Sequence, residues 1–126
     1  MIETVKISEK ARNQLITLKK RTGIQNWNVL CRWAFCLSLK ENTAPPNETI
    51  VADSSVEMTW RTFTGGHENL YLNLLLLRAQ KDGVKIDKVE VNNYFKLHLH
   101  RGISYLNSSQ TEPIEKLLAQ AVVKTI

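Results

Sequence analysis

The sequence predicts a mainly α-helical protein of one compact domain: a short N-terminal strand, two helices and about three further helices. Three observations carry this reading. Residues 27–39, WNVLCRWAFCLSL, hold a single charge, Arg32, and a helix that is apolar nearly all round must be buried nearly all round. Apolar residues recur at helical spacing on either side of that stretch, with stops at Gly23, Asp82-Gly83 and Gly102. The length of 126 residues and an apolar content of 43% suit a modest core and exclude a disordered chain.

The first element is a strand, because Val5 and Ile7 alternate with Thr4 and Lys6 over residues 3–7. Five residues do not form a stable strand alone; a partner is needed, and the same segment of a second copy is a candidate. Ser8 is placed as an N-cap with Glu9 at the positive end of the dipole. The helix runs to about Thr22, with Ala11, Leu15 and Leu18 inward and Lys10, Arg12, Asn13, Thr17, Lys20 and Arg21 outward. Gly23 ends it, and Asn26 is expected to cap the apolar helix that follows.

Residues 43–47, TAPPN, break the helical pattern. Residues 50–60 carry turn residues between short apolar pieces, which reads as a weak hairpin or an irregular crossover. A strongly apolar helix is expected from Glu68 to Lys81, stopped by Asp82 and Gly83. Asp87 and Glu90 signal the start of another, from Lys88 to about Arg101 with Gly102 as its stop. Thr111 caps a last helix with Pro113 in its first turn. The chain therefore divides into 1–41, 42–66 and 67–126 within a single domain.

The net charge is +5, but it is concentrated. Residues 1–40 hold eight basic and two acidic side chains, and the remainder nine and ten. A basic segment on a balanced chain is the footprint of a polyanion-binding face. The candidate phosphate contacts are Lys6, Lys10, Lys19, Lys20 and Arg21, with Arg12 in support; Thr4, Asn26 and the amides opening the second helix are secondary. Lys19, Lys20 and Arg21 also sit where a helix dipole favours cations, whatever their partner.

Catalytic chemistry finds little support. Cys31 and Cys36 point roughly 140° apart on the apolar helix, too far round for a local disulfide, and apolar surroundings disfavour a thiolate. They read as reduced core residues of a reducing compartment. On a helix His98 and His100 point about 200° apart and do not share a metal. Gly65-Gly66 precedes a helix without the Lys-Ser or Lys-Thr of a phosphate loop. Trp33 reads as core; Trp60, beside Arg61, is the better candidate for an exposed ring that stacks on a base, although core packing leads there too. No catalytic residue, metal or cofactor is expected. The apolar stretch is shorter than the roughly 20 residues a bilayer needs, and MIETVKISEK lacks the apolar run of a secretory signal. A cytoplasmic protein without a membrane partner is the expectation.

The run TVKISEKARNQLITLKKRTGIQNWNVLCRWAF resembles a ribbon-helix-helix unit, with Thr4 and Lys6 at the outward strand positions, Gly23 in the turn and Asn26 opening the second helix. In that fold two copies pair their strands into a ribbon that enters the DNA major groove. Over its whole length, including RTGIQNWNVLCRWAF and FTGGHENLYLNLLLLRAQKDG, the chain resembles the DndE family of DNA sulfur modification proteins, from the bacterial systems that install phosphorothioate linkages. The resemblance implies a noncatalytic homotetramer that binds double-stranded DNA, preferentially nicked, through surface lysines and acts beside the other modification proteins. Two alternatives stay open: a sequence-specific ribbon-helix-helix repressor, and an assembly subunit of the modification complex.

Overall fold

In the computed structural model, which describes residues 1–108, the order is β1 (Thr4–Lys6), α1 (Glu9–Thr22), α2 (Trp27–Lys40), β2 (Glu57–Thr59), α3 (Trp60–Thr64), α4 (Glu68–Lys81) and α5 (Lys88–Ser108). The helix expected after Thr111 lies outside the described residues. Local chemistry sets the first boundaries. Ser8 Oγ accepts the Ala11 N–H at 3.1 Å and Asp53 Oδ1 accepts that of Glu9 at 3.2 Å, so two N–H groups of the first turn are satisfied. Gly23, at φ 74°, closes α1 with its N–H on the Lys19 carbonyl. Asn26 stands at the N-cap of α2, yet its side chain makes no capping hydrogen bond, contrary to the expectation.

The partner of β1 comes from the same chain. It pairs antiparallel with β2 in the register Thr4 with Thr59, Val5 with Met58 and Lys6 with Glu57. The Trp60 N–H extends the ladder to the Glu3 carbonyl at 2.9 Å. A second copy is therefore not needed to satisfy this edge, and the segment read as a hairpin or crossover supplies a strand and a short helix instead. Val5 and Ile7 point into the core and Thr4 and Lys6 to solvent, as the alternation requires.

The core forms where α5 crosses α2. A Cβ built on Gly102 would lie 1.7 Å from the Ala34 carbonyl oxygen, so the two backbones touch. This corrects the expected end of the helix: α5 runs through Gly102 to Ser108. Mid-helix glycine costs about 1 kcal/mol in propensity, but here it admits a contact no side chain allows. Around the crossing, Phe63 packs edge to face on Phe35 and Phe95 at 5.9 and 5.1 Å, Phe35 meets Phe95 tilted at 5.3 Å, and Trp60 stacks on Phe63 at 5.2 Å. Trp60 is thus a core residue, 7% exposed, and not a surface stacking platform, whereas Trp33 and Trp27 are only partly buried.

Two arginines bind the end of α2 to the rest. Arg101 donates to the Ser38 and Thr43 carbonyls, each at 2.8 Å, and Arg78 to those of Leu39 at 2.8 Å and Thr43 at 3.0 Å. They cross-link the last turn of α2 and the segment just after it to α4 and α5. By contrast α4 fully buries only Leu75 and Ala79; Leu70 and Leu77 are 57% and 65% exposed.

The crossing yields a test. Gly102→Ala is expected to destabilise the protein by at least about 3 kcal/mol in urea unfolding, the upper end of overpacking costs, since backbone and not a side chain must give way. A loss under 1 kcal/mol contradicts the contact.

Candidate nucleic-acid interface

The basic residues of the N-terminal segment start from one helix and one strand, but the fold sorts them onto different flanks. Lys20 is exposed on α1. On one side of it, Arg12 and Lys19 line a groove of about 470 Å³ that also holds Asn26 and the first residues of α2. On the other, Lys10 lines a groove against α5 with His100 and Ser104, and Arg21 Nη1 donates to the Asn107 carbonyl at 3.0 Å. Lys6 projects from β1 and lies 3.9 Å from Glu57, and Thr4 is exposed two residues earlier. The eight residues singled out in the sequence are thus all at least partly exposed, while Lys10 and Arg21 turn away from Arg12 and Lys19.

Several of these cations already have company. Arg12 Nη1 is 3.1 Å from Glu9 Oε1, and Lys19 Nζ lies 3.6 Å from the centre of the Trp27 ring. Both contacts are solvent-accessible, so each is weak enough for a phosphate to displace. Sequence reasoning considered Trp27 among the rings that could stack on a base but missed the carboxamides of Gln25 and Asn28, which line the same groove beside it. The signal was present in the run IQNWN at 24–28, but nothing in the pattern said which face of the turn it would occupy.

Other candidate chemistry resolves into structure. Gly65 closes α3 in a left-handed conformation, and the N–H groups of Gly65, Gly66 and His67 all bond to carbonyls of residues 61–64. None is left for a phosphate. A Cβ on Gly65 would approach Arg32 Nη1 to 2.8 Å, and that same nitrogen donates to the Phe63 carbonyl at 3.0 Å. Arg32, the charge in the middle of α2, therefore ties α2 to the end of α3. Cys31 and Cys36 are both buried and form no disulfide; burial pushes the Cys31 thiol up to about 12, which disfavours its thiolate. Among the described residues no group of three or more His, Cys, Asp or Glu could hold a metal ion. Nor is any helix among them long and apolar enough to cross a membrane. What the groove beside α1 offers is cations, carboxamides and the indole of Trp27.

A family model described as DNA sulphur modification protein DndE matches residues 4–113. Comparison with curated proteins gives no match.

Both buried histidines serve the scaffold under this surface. His100 Nε2 accepts the Ser8 N–H at 3.0 Å while Nδ1 donates to the Lys96 carbonyl at 2.7 Å, pinning the start of α1 to α5. Ser38 Oγ accepts from Arg101 Nε at 2.9 Å and lies within hydrogen-bond distance of His98 Nδ1, at 2.8 Å. Burial, then Arg101 and Arg78, pushes His98 down to about 3, and burial lowers His100. Asp82 resists the upward push of burial through Tyr94 and Arg78 and stays below the usual carboxylate range. Because both histidines bind a proton more readily unfolded, stability is full above about pH 6.5 and declines as pH falls toward the folded values. Between pH 7 and pH 5 the loss from His98 is expected to reach about 2 kcal/mol by urea unfolding, with His100 adding to it, and to shrink in His98→Gln. An unchanged midpoint over that interval rules this out.

Proposed function

Since the chain belongs to the DndE family of DNA sulphur modification proteins, we propose that it is the noncatalytic DNA-binding component of that modification, acting in the cytoplasm on double-stranded DNA and preferring a nicked duplex. The observation that carries this reading is the placement of Lys6, Lys10, Arg12, Lys19 and Lys20 on the accessible sides of β1 and α1, in a chain whose excess charge lies wholly in residues 1–40. Its mechanism is phosphate neutralisation. Each lysine contact releases counterions and orients the duplex without reading its bases. A nicked duplex bends more cheaply at the break, so a basic surface that is not flat meets less resistance there.

Self-assembly, to a homotetramer, would multiply these contacts. The exposed Leu70 and Leu77 of α4 support association, with further copies or with other modification proteins, and they are what favours the assembly-subunit reading as second choice. The repressor reading has less behind it: β1 is three residues long, already paired with β2, and offers no Arg, Asn or Gln for bidentate base contacts.

The test is binding to one duplex, intact and singly nicked, over a salt series, with the mass in solution measured alongside. Six covered phosphates give a slope of log affinity on log salt of about −5, and Lys19→Gln with Lys20→Gln reduces its magnitude by about 2. A slope near zero sinks the electrostatic mechanism. Equal affinity for the two duplexes removes the nick preference.

A further inference from the structure

The groove between α1, the start of α2 and the segment around β2 goes unused when lysines merely neutralise a duplex backbone. We infer that it receives a single unpaired nucleotide of a DNA strand, its base on Trp27 and its phosphate on Arg12 and Lys19. The inference rests on the DNA-binding reading above and deepens it by naming the part of the DNA that the groove takes.

The volume of about 470 Å³ suits a small ligand. Its walls separate the two halves of a nucleotide. Arg12 and Lys19 stand on the α1 side, while the indole of Trp27 and the carboxamides of Gln25, Asn26 and Asn28 stand on the other. Carboxamides offer a donor and an acceptor side by side, as a base edge requires. Asn26 makes no capping bond to its own helix, and Asn28 commits only its Nδ2, to the Thr62 carbonyl at 3.3 Å. The indole is covered on one face by Lys19 Nζ at 3.6 Å. A cation over a ring holds the place of a stacked base, since both are drawn to the same π face. As the base enters, the Lys19 tip moves off the ring and onto the phosphate.

Charge narrows the ligand further. Glu57 also lines the groove, 3.9 Å from Lys6 Nζ, so the lining side chains carry two cations and one carboxylate. That balance accepts the single charge of a phosphodiester and opposes a triphosphate. A base in an intact duplex has both faces stacked and its pairing edge occupied, so it cannot enter. The groove therefore selects a frayed nucleotide at a strand break, end or flap.

Three duplexes of one sequence test this: intact, nicked, and nicked with one extra unpaired nucleotide at the break. The last is expected to bind about tenfold tighter than the intact duplex, the scale of one base stacked on an aromatic ring, and to quench tryptophan emission. Trp27→Leu should bring that ratio to within about twofold, and Trp27→Phe should abolish the quenching while keeping most of the ratio. Lys19→Met should lower affinity for the flapped duplex most. Intact duplex bound as well as the flapped one by the wild type overturns the groove and leaves the DNA-binding reading standing. So does a ratio that survives in folded Trp27→Leu, or quenching that persists in Trp27→Phe, which also decides the matter if the leucine variant does not fold. Absence of binding to all three duplexes overturns the DNA-binding reading, and the groove with it.

Discussion

Gly102 packs directly on the Ala34 carbonyl, where α5 meets α2 backbone to backbone. Everything else is placed by that crossing. It brings Phe35 and Phe95 within 5.3 Å and lets Phe63 and Trp60 close over them from α3. It also sets Arg101 one residue before the glycine beside Ser38 and the α2 carbonyls. A larger residue at 102 would open the pair by the thickness of a methyl group, and close-packed interiors do not absorb such a change without loss.

The polar groups inside this scaffold divide the work between charge and neutrality. Arg78 and Arg101 direct their guanidinium groups to backbone carbonyls at and just beyond the end of α2, a use for which the planar, many-donor guanidinium is suited. Burial, with neighbouring cations, favours the neutral rings of His98 and His100; His98 Nδ1 meets the Ser38 hydroxyl, and His100 Nε2 accepts the Ser8 N–H. His100 thereby connects the interior to the surface: the start of the basic helix hangs on it. The orientation of Lys10, Arg12, Lys19 and Lys20 is in this sense a consequence of a buried imidazole 92 residues away from the N-cap it serves.

On the outside, α1 acts as a ridge with a groove on each flank. Because Lys10 and Arg21 face α5 while Arg12 and Lys19 face the start of α2, the ridge offers positive charge to two sides at once. A surface of this shape presents its cations at separated points, with a groove on either side of the ridge. The pairing of β1 with β2 adds to this, since it holds Glu57 and Met58 against the groove and gives it a second wall.

Much of the architecture was legible in the residues. The strand alternation at Val5 and Ile7, the Ser8 cap, the Gly23 stop, the burial of 30–38 and the bounds of the helix over 68–81 all follow from interactions between near neighbours in sequence, which is why pattern reveals them. The membership in a DNA modification family was legible too, through the residues that resemble it. Tertiary structure alone decided the rest. Gly102 reads as a helix stop because its nearest neighbours cannot reveal Ala34, 68 residues earlier; only the crossing shows that a missing side chain was wanted. Likewise the strand's partner, the fate of Trp60 and the splitting of the basic residues between two grooves depend on which distant surfaces meet, and no local spacing encodes that.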